Sequence, residues 1–429
     1  MNPYVQYMYS YPHKTAYRPL QGISLEHYIH FLKGSGNGLY LHIPFCQAKC
    51  GYCNLFSVTG QGEVDAARYL DAVKRQCMQY EGLLETVQAE FGELAIGGGT
   101  PLCLAVNQLE QMFGMLERHF RYSRQREVVI ETAPNQTDAP KLGVLKQAGV
   151  TRVSMGIQSF HDSELRSLGR QHQAKQARKA LHLLKEAEFA CVNVDFIYGI
   201  PGQTVESLLA SLQEALTFEP DEIFLYPLYI NRGAWLKQRG DVWDQSGAYL
   251  QYQQASAFLK DAGYRQDSMR RFVRSPQKRA YSECGFGTLL ALGCGGRSYL
   301  GNLHFSSPYA TQQAQCLARL EEYEQTQDYT KITHGFLLSE EEMKRRYVIR
   351  HLLIMPGLSL ERYQEAFGSG AVEDFPVLQT WLDRGFVEQK VQEGGDTFLA
   401  LTQEGLGLSD YLGPMLISPQ VLAAMEAWE

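Results

Sequence analysis

Six short apolar runs punctuate the first half of the chain: LYLHI (39–43), ELAIGG (93–98), VVIETA (128–133), TRVSMGIQS (151–159), VNVDFIYG (192–199) and EIFLYPLY (222–229). Each is nearly continuous in its hydrophobicity and ends in turn-forming residues, the pattern of strands buried on both faces. Between them, apolar residues recur every three or four positions over 66–87, 107–120, 139–149, 174–189 and 204–218, which predicts helices. Strands alternating with helices predict a parallel sheet built from right-handed crossovers. Beyond residue 235 the rhythm stops, and a mixed, glycine-containing segment runs to about 335. The remainder reads as helices over 338–355, 358–367 and 374–384. Two alternating runs then follow around a Gly-Gly turn in FVEQKVQEGGDTFLALT, a pattern resembling a small winged-helix fold. Ahead of the first strand lie a tyrosine-rich lead-in, a short helix over 25–32 and the glycine-rich KGSGNG. The expected division is therefore an N-terminal extension (1–38), an α/β unit (39–235), a connecting region that extends it (236–335) and a winged-helix-like α+β domain (336–429).

Composition narrows the classes. At 429 residues the chain exceeds a single small core, and 45% hydrophobic with 20% charged residues describe a globular protein. The net charge of -7 comes from mixed signs without a basic block, which argues against nucleic acid as a partner; the acidic EEE and VEDF stretches make the winged-helix-like region a lid or a protein-facing surface. No window reaches the apolar length of a membrane span, and the N-terminus lacks secretory-signal features, so a cytoplasmic protein without a membrane partner is expected. Nine cysteines, an odd number, do not suit a disulfide framework in a reducing compartment.

Ligands of parallel α/β folds bind on the loops after the strand C-termini, and the unusual residues fall there. After the first strand come Cys46, Cys50 and Cys53 (C-x3-C-x2-C), after the second GGGTP, after the third ETAPN, within the fourth GIQSF, and along the fifth DFIYGIPGQT. A zinc site wants a fourth ligand or a second cysteine pair, and the other six cysteines are scattered. A redox dithiol needs two thiols and leaves Cys46 unexplained. An iron-sulfur cluster held by three thiolates, with one iron open to a small molecule, fits the triplet best.

The pattern C-x3-C-x-aromatic-C after HIPF, followed by GGGTP, resembles the radical S-adenosylmethionine (SAM) enzymes. YLHIPFC, GGGTP, RVSMGIQSF, LGRQH and NVDFIYGIPGQT recur in the order and spacing of that family's oxygen-independent coproporphyrinogen III oxidase-like branch, which also holds a haem chaperone and haem-degrading enzymes. The resemblance covers about residues 38–300. It implies a partial (β/α)6 parallel barrel with a C-terminal winged-helix-like domain. It further implies a [4Fe–4S] cluster on Cys46, Cys50 and Cys53, SAM on the fourth iron, and an electron donor such as flavodoxin or ferredoxin. Reductive cleavage of SAM to a 5'-deoxyadenosyl radical is the implied chemistry. By the same resemblance Tyr40 and Tyr52 flank the cluster and adenine. Gly98, Gly99 and Thr100 receive the methionine amino end, Glu131 serves the ribose or the positive methionine end, Gln158 and Arg170 contact ribose and carboxylate, and Asp195 accepts from the ribose.

Each has a plainer reading. The glycines could form a strand-end turn, Glu131 and Asp195 could cap the helices after their strands, Gln158 could satisfy a strand edge, and Arg170 could be a solvated helix end. Cys77 sits on the apolar side of its helix and reads as a core thiol, and His42 as an orienter of the cysteine loop. After Cys53 this chain has Asn54, Leu55 and Phe56 where the oxidase carries a further cysteine. Three functions follow: a radical enzyme acting by hydrogen abstraction or methyl transfer on an unidentified, tetrapyrrole-like or natural-product small molecule; the coproporphyrinogen III oxidase reaction; or a haem-binding chaperone.

Overall fold

The computed structural model describes residues 2–8, 10–230, 236, 244–274, 286–391 and 395–428. Residues 231–235 at the expected end of the α/β unit, Cys284, and Gly394 of the Gly-Gly turn lie outside them.

Among the described residues one sheet of thirteen strands dominates. In chain order the strands are β1 (Arg18–Ser24), β2 (Asn37–Ile43), β3 (Phe91–Gly98), β4 (Tyr122–Thr132), β5 (Arg152–Gln158), β6 (Cys191–Tyr198) and β7 (Glu222–Pro227). After them come β8 (Arg265–Gln266), β9 (Arg271–Val273), β10 (Leu289–Leu292), β11 (Arg297–Leu300), β12 (Leu303–Ser306) and β13 (Lys331–Leu337). Their order across the sheet is β1-β13-β12-β11-β10-β2-β3-β4-β5-β6-β7-β9-β8. The six predicted strands are β2 to β7, parallel and in sequential order, as right-handed crossovers require. The sheet does not close on itself, which agrees with a partial barrel.

The connecting region is more ordered than its sequence suggested. It adds β10 parallel to β2 and, beyond it, antiparallel β11, β12 and β13; on the far side β9 pairs antiparallel with β7. These strands are short, four residues or fewer except β13, too brief to show periodicity. Strand β1, which pairs with β13, was not predicted, because Pro19 and Gly22 interrupt its pattern. The predicted helix over 25–32 is instead two 3-10 turns, Leu25–His27 and Ile29–Leu32.

The predicted helices pack as expected. Helix α1 (Glu63–Thr86) buries Tyr69, Leu70, Val73, Cys77, Tyr80 and Leu84 along one stripe, so Cys77 is a core thiol. Helices α2 (Val106–His119), α3 (Ala139–Gln147), α5 (Ala174–Ala187) and α6 (Val205–Leu216) follow, with a short α4 (Asp162–Ser167) that was not predicted. Asp138 caps α3 and Thr204 caps α6, each accepting a backbone N–H of the first turn. The caps are thus supplied by residues other than Glu131 and Asp195, and the capping alternative falls. At the N-terminal ends of the strands Arg152, Glu222, Arg271 and Asp267 form a buried ion network, with Arg152 to Glu222 at 2.6 Å and Arg271 to Asp267 at 2.7 Å.

The C-terminal region has a separate core built on Leu352, Tyr363, Leu378, Trp381, Leu399 and Leu412. Its three-stranded sheet includes Leu358–Ser359, the start of a predicted helix that in fact begins at Leu360. The N-terminal lead-in joins the two cores. Tyr4 packs into the large one against Tyr198, Tyr229 and Tyr249, whereas Met8, Tyr11 and Ala16 pack into the small one.

Candidate active site

At the C-terminal ends of the parallel strands lies a cavity of about 400 Å3. The loop after β2 supplies Cys46, Cys50, Tyr52 and Cys53 to its wall. The end of β3 supplies Gly98, Gly99 and Thr100, β4 supplies Glu131, β5 Gln158, and β6 Asp195; Arg170 enters from the turn after α4. Residues separated by up to about 150 positions in sequence thus share one wall. Tyr40 is the exception: it does not line the cavity, and its hydroxyl lies 3.2 Å from His42 Nδ1. On a strand whose other residues are buried, Tyr40 is half-buried and meets His42, which itself contacts the loop.

The cysteine loop is held from behind. The His42 ring meets the Phe56 carbonyl at 2.9 Å, tying the strand to the returning limb of the loop, as its sequence position suggested. Burial pulls the His42 pKa down to about 4, so the ring is neutral. The glycines after β3 are dictated by proximity: a Cβ on Gly98 would fall 2.7 Å from the His42 ring, and one on Gly99 would fall 2.5 Å from the Phe45 carbonyl and 2.9 Å from Cys46 Sγ. Gly98, at φ +116°, also needs a backbone conformation that favours glycine. The plain strand-end turn is therefore an incomplete account, because the glycines let the second strand close against the thiol loop.

Gln158 occupies the left-handed region at φ +72°, where β5 shifts register against β6 between Gly156 and Gln158. A non-glycine residue held there costs on the order of 1–3 kcal/mol and turns its side chain toward the cavity. Arg170 is half-buried, donating to the Gly156 carbonyl and to Cys50 Sγ at 3.2 Å, while its buried Nε has no partner among the described residues. It is not a solvated helix end. His172 braces this corner through Ile157 O at 3.1 Å; burial, then the Arg170 charge, lowers its pKa to about 3.

Two carboxyls face the cavity. Glu131 is exposed to the open cavity, yet desolvation by the surrounding walls, reinforced by the charge of Asp195, raises it to about 7, although the Gly98 N–H donates to it at 3.2 Å. Burial raises Asp195 to about 6 against an Asn193 amide donor at 2.7 Å. Among the thiols, burial and then Cys53 push Cys46 up to about 12, and burial raises Cys53. Such a pocket disfavours bare thiolates and carboxylates, and welcomes cations that restore their charge.

A pH dependence follows for the cluster-free protein. Both carboxyls have folded pKa values above their unfolded ones, so the folded state holds more protons and stability falls as pH rises from about 4 toward 7. Glu131→Gln should flatten that fall between pH 5 and 8, measured by denaturant unfolding. An unchanged slope would refute the assignment.

Sequence reasoning missed several wall residues. Cys103, set aside as scattered, lines the cavity in a short turn after GGGTP, and its distance in sequence from the triplet hid it. Tyr7, Tyr226 and Tyr229 form an aromatic part of the wall, and Asn54 and Leu55 complete the loop side. The position where this chain departs from the oxidase pattern is therefore on the cavity surface.

The three thiols, the glycine-lined approach beside Cys46 and the buried Nε of Arg170, unpartnered among the described residues, fit a thiolate-bound [4Fe–4S] cluster with a zwitterionic ligand. Comparison with known proteins agrees. Residues 40–215 match the model of the Radical SAM superfamily. The heme chaperone HemW of Haemophilus influenzae is 29% identical over 61% of this chain and 70% of its own length. The oxygen-independent coproporphyrinogen III oxidase of Pseudomonas aeruginosa is 26% identical over 87% and 85%. The solved structure of coproporphyrinogen III oxidase (HemN) from Escherichia coli superposes with a TM-score of 0.79 across 99% of this chain and 98% of that one, at 22% identity, a likeness of fold.

Proposed function

Because residues 40–215 match the Radical SAM superfamily, we propose that the protein is an enzyme that reductively cleaves SAM and uses the product to act on a small, tetrapyrrole-like molecule. The observation carrying this reading is the convergence of Cys46, Cys50, Cys53, Gly98, Gly99, Thr100, Glu131, Gln158, Arg170 and Asp195 on one cavity. When bound, the [4Fe–4S] cluster and SAM supply a 5'-deoxyadenosyl radical. The protein's part is binding and orientation.

Cys46, Cys50 and Cys53 hold three irons. Gly98, Gly99 and Thr100 offer a close approach and a hydroxyl to the methionine amino group, while Glu131 and Asp195 present carboxyls to the cationic and ribose portions. Arg170, fixed against Cys50 and Gly156, presents its guanidinium to the methionine carboxylate, with Gln158 beside it. Tyr52 flanks the adenine. Tyr40 acts through His42, which secures the loop. Tyr7, Tyr226 and Tyr229 give the substrate an apolar face that limits water near a reactive radical.

The substrate class rests on the names of the relatives and on this aromatic wall. The test is anaerobic reconstitution of the cluster in the full chain, followed by SAM and dithionite. 5'-Deoxyadenosine above a no-enzyme control is expected, and its absence sinks the enzyme reading. Stoichiometric haem uptake without 5'-deoxyadenosine would favour a chaperone. Anaerobic rescue of a haem-auxotrophic strain would identify the coproporphyrinogen reaction.

A further inference from the structure

The N-terminal lead-in places a lysine against the back of the cysteine loop. Lys14 opens a 3-10 turn (Lys14–Ala16) whose entry is capped by the His13 side chain. Its Nζ lies 3.8 Å from the centroid of the Tyr309 ring and donates to the Asn54 carbonyl at 3.4 Å. The Tyr309 hydroxyl donates to the same carbonyl at 2.6 Å. Asn54 directly follows Cys53, so one peptide group separates the ammonium's hydrogen bond from a cluster ligand.

Lys14 reaches the loop from outside the SAM cavity. It lines a separate hollow of about 230 Å3, together with Tyr309, Arg319, His334 and Trp428, whereas Asn54 lines the cavity itself. Tyr309 is clamped in turn by Trp428, ring centroids 5.0 Å apart, and by the edge of His13. Burial, and then the charge of Arg297, pulls the Lys14 pKa well below the ordinary lysine value, and negative charge at the cysteine loop opposes that shift, so an anionic centre on the loop favours the ammonium. A packed ring, a fixed carbonyl and a short turn hold this side chain in place.

We propose that Lys14 is a positioning residue for the redox centre: its ammonium, fixed behind Cys53, stabilises the reduced form of a cluster held by Cys46, Cys50 and Cys53 and so sets the potential at which that cluster accepts its electron. The inference rests on the cluster assignment above. One electron from an external one-electron donor takes [4Fe–4S]2+ to [4Fe–4S]1+, adding a negative charge to a centre that already carries three thiolates. A nearby fixed cation favours the more negative state, and net charge and hydrogen bonding are established levers on such potentials.

The test compares wild type, Lys14→Met and Lys14→Arg as full chains with anaerobically reconstituted clusters, reading iron per chain and a dithionite redox titration followed by electron paramagnetic resonance. Lys14→Met should hold iron yet show about a tenfold lower ratio of reduced to oxidised cluster at the wild-type midpoint, a shift of about 59 mV for one electron. Lys14→Arg should stay near wild type. Iron lost in Lys14→Met and restored in Lys14→Arg also supports the charge role, whereas iron lost in both overturns it. Equal midpoints for Lys14→Met and wild type, or equal shifts in both variants, overturn this inference alone. A wild type that takes up no cluster overturns the cysteine centre and this inference with it.

Discussion

Replacing any one of Cys46, Cys50 or Cys53 by alanine should remove most of the iron and the brown absorbance from the reconstituted protein, with loss of SAM cleavage. All three thiols reach one cavity wall, and two thiolates hold a cubane poorly. The effect should be local. The three cysteines are half-buried on a loop rather than packed in the core, so the variants should remain folded by circular dichroism. Cys103→Ala is the matched control: it removes a fourth thiol from the same cavity and should keep full iron. Full iron in any one of the three ligand variants would refute the ligand set, and loss of iron in Cys103→Ala would add a ligand to it.

The largest stability effect is expected at Asp410, far from any motif. Its carboxylate is 1% exposed, accepts the Tyr229 hydroxyl at 2.6 Å and pairs with Arg270. The Arg270 guanidinium in turn lies 3.7 Å from the centroid of the Tyr7 ring, and the Asp410 carbonyl receives the N–H groups of Val5 and Gln6, both at 3.1 Å. One residue of the C-terminal domain thus ties together the N-terminal segment, the end of the α/β sheet and the tyrosine wall of the cavity. Burial raises the Asp410 pKa despite Arg270, so desolvation opposes the pair strongly. Removing one partner leaves the other charge buried: Asp410→Ala should cost on the order of 3–5 kcal/mol, seen as a clear drop in thermal midpoint. The double variant Arg270→Met, Asp410→Leu should recover much of that loss, because an apolar replacement of a buried pair is commonly neutral or better. If Asp410→Ala melts with wild type, the ion pair does not organise this junction.

Legibility in sequence followed the range of the interaction. The strands β2 to β7 and the helices between them were readable because each carries its own periodicity, and a buried parallel strand advertises itself as a continuous apolar run. The site triplet was readable because its members are eight positions from first to last. Glu131 and Asp195 were ambiguous, since a carboxylate at a strand end serves a helix cap or a ligand equally well; only the presence of Asp138 and Thr204 at the caps separated the two. Strands β10 to β12 were not readable, since four residues show no period.

What the chain determined by itself was the parallel α/β rhythm, the family resemblance and the identity of eleven of the thirty residues on the cavity wall. These depend on local pattern and on short motifs. Tertiary structure decided what those motifs face. It carried Tyr7 and Lys14 from the first fourteen residues to the two sides of one loop, placed Cys103 beside the triplet, set Tyr40 against His42, and joined Arg270 to Asp410 across 140 positions. The physical reason is that such contacts are fixed by how buried surfaces pack together, which no period along the chain records.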